Sequence, residues 1–406
     1  MDASARSADR AEMDWMSADA DRNHPLMLHC VSSPDRYSSK PVMNNTQGNT
    51  TDRLLGIVRS ARRTGLRLAD AIRVNELVGR TAWRAQRLLI LCYHGVSIDD
   101  EHKWADLYVS AGHLARRLEL LRSRGATIVS LDDGLEQLAR GDLPPMSVCL
   151  TFDDGAHDFS SRAMPVLSAA NAHSTLYLTT YYCGRNQPVF DTVASYLLWK
   201  ARGRTVRLPE VDLVVTIPDQ TSSPQFADIH NELRRYALVH GFDADQKNAF
   251  ARALAIVVGV DFDAILERKL FQIMSPEEVA ALDPALVSVQ LHTHRHRTPR
   301  DEALFKREIE DNRVVIERLR GPGPTRHFCY PSGDYVREYG EWLREDGVQF
   351  ATTCDPGLAS RSSDPLFLPR FVDTENVPAE TFMAWVSGLS YVAFARRTTT
   401  PVRLTP

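Results

Sequence analysis

Apolar runs that read straight through, without alternating polar residues, constrain this chain more than any other feature. LLILCYHGV (88–96), ATIVSL (126–131), the PPMSVCLTF run (144–152), STLYLTT (174–180), ALVSVQL (285–291), RHFCY (326–330) and VQFATT (348–353) are each strand-length. A strand exposed on one face alternates apolar and polar side chains, whereas a strand buried on both faces does not. Helical stretches separate the runs. Ser110 opens one with Leu114, Leu118 and Leu121 at helical spacing and Gly125 as its stop, Ser275-Pro276-Glu277-Glu278 is a capping box with proline at the first helical position, and further helices are expected at 301–319 and around Val336 to Glu345. Buried strands alternating with amphipathic helices predict an α/β fold whose parallel sheet is covered on its faces, either a barrel or a doubly wound sheet. The 406 residues, 43% of them hydrophobic, are enough to bury such a core.

The rhythm has limits along the chain. Residues 1–50 are rich in Ser, Asp, Asn and Arg without apolar periodicity and are expected to be disordered. Residues 51–85 read as a basic helical segment that includes Arg59, Arg62, Arg63, Arg67, Arg73, Arg80 and Arg84. Such a segment is either a solvated helix packed on the main domain or, through residues 53–87, a peripheral contact with an anionic membrane or glycan. The main domain is expected over 86–395, interrupted at about 184–274 by an insertion, with a loose tail at 396–406.

Composition excludes some partners. A net charge of −4 offers no general attraction for nucleic acid. Six cysteines without C-x-x-C spacing read as free thiols and favour a reducing compartment. The polar, acidic N-terminus does not resemble a signal peptide and no run approaches a membrane span, so a cytoplasmic location is expected.

In a parallel α/β fold, the loops leaving the carboxyl ends of the strands line the site. Two exits carry metal-ligating residue types: Asp153-Asp154-Gly155 after CLTF, and His292, His294 and His296 after ALVSVQL. A carboxylate and two imidazoles make three ligands for a divalent ion and leave coordination open for water and substrate. Spacing alone leaves open which two histidines converge.

These motifs resemble those of the polysaccharide deacetylases, the metal-dependent carbohydrate esterases that carry the NodB homology region. CLTFDDG resembles the family's first motif, His292-Thr293-His294-Arg295-His296 its second, and FCYPSGD (328–334) its third-motif loop; ILCYHGVS (90–97) looks like its opening strand and Leu368-Pro369-Arg370 like a later segment. The resemblance implies a distorted (β/α) barrel that hydrolyses the N-acetyl group of an N-acetylated sugar and releases acetate. It also implies a divalent metal, zinc foremost with cobalt as another choice, held by Asp154, His292 and His296. Asp153 would be the general base and the backbone N–H of Ser332 an oxyanion donor.

Two departures stand out. The third motif often carries an arginine that braces the catalytic aspartate, and Cys329 occupies that place, so Arg370 is the expected brace and Arg326 the weaker candidate. No histidine follows His327, so the family's late general acid is missing; His94 is the expected substitute and His157 a lesser one. The insertion is expected to form a lid or recognition lobe, with Tyr196 and Trp199 either stacking on sugar or packing in a core. Two other readings fit the motifs: hydrolysis of a small non-sugar amide or cyclic imide on the same fold, and a catalytically weak glycan-binding relative.

Overall fold

The computed structural model describes residues 64–67, 73–208, 213–323 and 325–391. The expectations for 1–50 and for the tail at 396–406 lie outside these residues, as does most of the basic segment.

Eight strands form the central sheet among the described residues, seven of them parallel: β1 (Arg87–Tyr93), β2 (Val148–Phe152), β3 (Ser174–Leu178), β4 (Val287–Leu291), β5 (His327–Cys329), β6 (Phe350–Thr352) and β7 (Phe371–Val372), with the short strand Ala359–Ser360 pairing antiparallel with the start of β1. Each pairs in parallel with the next from β1 to β6, and β7 pairs in parallel with β1. Chain 368–373 closes the ring. Leu368 bridges Thr352, its N–H donating to the Ala351 carbonyl at 2.8 Å, and the Asp373 N–H donates to the Cys92 carbonyl at 3.1 Å. The result is a (β/α) barrel distorted by short strands and by closure through one short segment, the alternative that strand patterning left beside the doubly wound sheet.

The apolar runs serve two cores, as a side-chain period of two requires. Leu89, Leu91, Leu150 and Phe152 join the large cluster under the outer helices, while Leu88, Ile90 and Cys149 join a second cluster with Leu131, Leu135, Leu138, Tyr177 and Cys329. Gly134 lets the helix Leu131–Arg140 approach that second cluster, since a Cβ there would lie 2.9 Å from the Cys149 sulfur. The run ATIVSL is not a full strand: only Ile128 bridges Val148, because the Ser130 hydroxyl caps the helix that starts at Leu131.

The described part of the basic segment forms short helices at Val74–Gly79 and Ala82–Ala85. Arg84 is wholly buried there and donates to the carbonyls of Val386 at 2.8 Å, Ser147 at 3.1 Å and Arg87 at 2.5 Å. It ties this segment to the barrel and is not part of a basic surface.

The residues expected as an insertion hold the helices Phe190–Lys200, Pro224–Val239, Ala244–Val258 and Phe262–Glu267 and a hairpin of Thr205–Leu208 with Leu213–Thr216. They have an apolar core of their own, which also takes in Trp104 from the loop after β1. Trp104 stacks on Trp199 with ring centroids 5.7 Å apart, and Lys200 and Arg202 lie over the Trp199 ring. Trp199 is therefore a core residue, and Tyr196 packs partly buried beside it.

Candidate active site and metal centre

Asp153 and Asp154 follow β2 directly, His292 follows β4, Cys329 ends β5, Arg370 precedes β7 and His94 follows β1. Five of them therefore stand at one end of the barrel, where the parallel strands deliver their carboxyl ends, and Arg370, on the amino side of β7, reaches Asp153 there with its guanidinium. The turns that aim them are tight. Asp154, Thr293, His296 and Ser332 adopt left-handed backbone conformations with φ of 70°, 62°, 55° and 57°, which non-glycine residues keep only where surrounding contacts over-determine them.

Asp154 and two histidines form one cluster. The Asp154 Oδ1 lies 3.2 Å from His292 Nε2 and 3.1 Å from His296 Nε2, and the three ligand atoms lie within 4.8 Å of one another. His294 turns away: its Nδ1 lies 2.8 Å from the Thr180 hydroxyl, and its carbonyl accepts from the N–H of Tyr181 at 2.8 Å. The His292 Nδ1 faces the Cys329 carbonyl at 2.9 Å. A carbonyl only accepts, so Nδ1 carries the proton and Nε2 is the atom presented to Asp154, the arrangement that holds metal-ligating imidazoles in orientation. Donor types and outer hydrogen bonds thus fit a divalent cation.

Electrostatics agree with a charged cluster. Burial pushes the Asp154 carboxyl up, but His296 and His292 outweigh it and hold the group well below the usual carboxylate range. Burial likewise opposes charge on His296, yet Asp154 raises it above an ordinary imidazole. Burial lowers His294 to about 4, which leaves it neutral.

Asp153 is buried beside this cluster and paired with a buried cation. Arg370 donates through Nη1 to Oδ1 and through Nη2 to Oδ2, both at 2.7 Å. Its Nε donates to the Thr353 carbonyl at 2.9 Å and its Nη1 to the Thr151 hydroxyl at 3.1 Å, so the fork is fixed from behind. Burial raises the Asp153 carboxyl, and Arg370 overcomes it and pulls the group far down. Arg326, the weaker candidate for this brace, instead binds Asp132 at 2.6 Å.

His94 Nε2 lies 3.6 Å from Asp153 Oδ2, and burial lowers its pKa against the pull of Asp153. His157 is not in the cluster; its Nδ1 lies 2.9 Å from Glu278. Ser332 sits in the turn Pro331–Gly333, and its N–H makes no hydrogen bond among the described residues. Cys329, which stands in the place of the family's brace, lies 3.4 Å from Asp153 Oδ2, and two thiols that sequence reasoning did not place lie nearby, Cys92 at 3.6 Å from Asp153 Oδ2 and Cys354 at 3.7 Å from Arg370 Nη2. Nothing local in their sequence context distinguishes them from core cysteines.

The insertion touches this site through its stem. The Met274 N–H donates to the Gly155 carbonyl at 3.0 Å and the His157 N–H to the Gln272 carbonyl at 2.8 Å, directly behind Asp153 and Asp154.

Residues 140–233 match the family model described as polysaccharide deacetylase, which bears out the resemblance read from the motifs. No curated protein matches the chain. Among solved structures, the chain is similar to the Streptococcus pyogenes deacetylase PplD in complex with acetate (17% identity, TM-score 0.49, 74% of this chain and 98% of that one). It is also similar to IcaB from Ammonifex degensii (19%, 0.46, 74% and 97%) and to a de-N-acetylase from Aggregatibacter actinomycetemcomitans (15%, 0.44, 74% and 99%).

Proposed function

We propose that this chain is a metal-dependent de-N-acetylase that releases acetate from an N-acetylated sugar in an oligosaccharide, polysaccharide or glycan-lipid intermediate. The observation that carries the reading is the adjacency of two differently occupied carboxylates: Asp154 faces two imidazoles, and Asp153 faces an arginine.

Asp154, His292 and His296 would hold the cation, and one carboxylate with two imidazoles suits zinc. A divalent ion there supplies Lewis acidity, making water more acidic and an amide carbonyl more electrophilic. Asp153 stays ionised beside Arg370 and accepts the proton as water adds to the acetyl carbon. The Ser332 N–H, uncommitted in its turn, donates to the resulting oxyanion.

The carbon–nitrogen bond then breaks, and the amine must gain a proton. An Asp153 carboxyl held as acidic as Arg370 makes it passes its proton readily to a neutral imidazole. His94 is that imidazole, 3.6 Å away, and it delivers the proton to the departing nitrogen. The products are a free amino sugar, whose nitrogen has taken one water proton through Asp153 and His94, and acetic acid, which keeps the other and ionises to acetate on release.

The test is acetate release by metal-free and zinc-loaded protein from a panel of N-acetylated glycans, free, lipid-linked and polymeric. Zinc-dependent release that drops about 10²–10⁴-fold in Asp153→Asn supports the reading. Release that is indifferent to both metal and Asp153 overturns it.

A further inference from the structure

The loop after β1 brings a tyrosine to the same end of the barrel. Residues Gly95–Val96 continue from β1 and pair in parallel with Tyr108–Val109, with Gly95 opposite Tyr108 and Val96 opposite Val109. Gly95 follows His94 directly. Hydrogen bonds bracket this short strand against the Asp-Asp-Gly loop: the Asp153 N–H donates to the Tyr93 carbonyl at 2.9 Å, and the Val96 N–H donates to Asp158 Oδ1 at 3.0 Å.

The Tyr108 ring lies flat over the Gly95 backbone. A Cβ at Gly95 would stand 2.2–2.5 Å from ring atoms Cε1, Cδ1 and Cζ, so no side chain larger than hydrogen permits this position. The strand that carries the ring is held in place, because the Ser97 N–H donates to the Val109 carbonyl at 2.8 Å and the Tyr108 N–H to the Ala105 carbonyl at 3.0 Å. The Tyr108 hydroxyl, by contrast, meets no hydrogen-bond partner among the described residues, and the side chain is partly open to solvent. Burial and the charges of Asp158, Glu101 and Asp154 push the phenol above its ordinary range, so the hydroxyl keeps its proton and can donate.

We propose that Tyr108 is a substrate-binding residue of this site, its hydroxyl donating a hydrogen bond to a sugar oxygen of the acetylated glycan and its ring fixed over Gly95. The proposal rests on the deacetylase reading. It also gives the His94-Gly95 pair two purposes, an imidazole beside the base and a glycine that seats the ring.

Tyr108→Phe keeps the ring and deletes the donor. With an oligomer of N-acetylglucosamine as substrate, its KM is expected to rise about three- to ten-fold, the worth of one neutral hydrogen bond, with the loss falling in KM rather than kcat. Calorimetric titration of the same oligomer into Asp153→Asn, with and without Tyr108→Phe, is expected to show the same weakening without turnover. Gly95→Ala, which expels the ring, should weaken binding at least as much. Unchanged KM and unchanged binding in Tyr108→Phe overturn the proposal while an active wild type leaves the deacetylase reading intact; a wild type that neither binds nor deacetylates glycans overturns that reading as well.

Discussion

Arg370 grips both oxygens of Asp153 with its two terminal nitrogens at 2.7 Å, and neither side chain is exposed beyond a few per cent. A planar guanidinium matches a carboxylate in this way and an ammonium cannot. Breaking a buried pair strands the remaining charge, so Arg370→Gln is expected to cost ~3–5 kcal/mol of stability. Arg370→Lys keeps the charge but loses one arm of the fork and should lose activity more than stability. Thermal unfolding and kcat measured together check both; an Arg370→Gln protein as stable as wild type would contradict the pairing.

The carboxylate next door makes a separate prediction. If Asp154, His292 and His296 hold the cation, zinc at a hundredfold excess over its Kd stabilises the fold by ~2.7 kcal/mol, or about 4 °C in Tm. His296→Ala should bind less than stoichiometric zinc by elemental analysis and lose that shift. His294→Ala should keep both, because His294 faces Thr180.

Much of this site was legible because its ligands sit on strand ends, where sequence and space run together. The apolar approach to Asp153 and the alternation that placed ALVSVQL beside it needed no long-range knowledge, whereas spacing left open which two of His292, His294 and His296 converge and only the family resemblance chose between them. Arg370 was legible only as a compensation, a cation expected because Cys329 stands where the family places one. Tyr108 was invisible, since the reason for its position is a glycine 13 residues earlier whose missing Cβ admits the ring. ATIVSL misled for a local reason: Ser130 offers its hydroxyl to the Asp133 N–H, and the cap wins over continuing the strand. Trp199 has the composition of a sugar platform, and only the second core shows its face covered by Trp104.

Asp158 should make stability fall as pH rises. Buried, and accepting one backbone hydrogen bond from Val96, its carboxyl is pushed up to about 8 from an ordinary 3.8. Between those values the folded protein holds a proton that the unfolded chain has released, so the native state binds more protons and loses stability with rising pH. The loss reaches on the order of 4 kcal/mol by neutral pH. Asp158→Asn keeps an oxygen for Val96 and removes the titration. Metal-free Asp158→Asn is expected to unfold several degrees above wild type at pH 8 and within a degree or two of it at pH 4; equal differences at the two pH values would contradict the assignment.

Trp104 joins the insertion to the catalytic loops, and its removal should be felt at both. The ring is nearly buried among Trp199, Tyr196 and Phe271, so Trp104→Ala is expected to cost the insertion ~3–5 kcal/mol. Loss confined to that core would leave the barrel unaffected. The stem makes confinement impossible, because Phe271 leads directly into Gln272 and Met274, whose backbone hydrogen bonds hold Gly155 and His157 behind the two aspartates. Hydrogen exchange should therefore quicken in 190–200 and 262–271 and also at the amides of His157 and Met274, while β3 and β4 keep their protection. Acetate release should fall through kcat, since a loosened loop misplaces Asp153 and Asp154 relative to bound substrate. If exchange at His157 and Met274 stays at the wild-type rate while the insertion opens, the stem does not transmit the disturbance and the insertion's order is independent of the site.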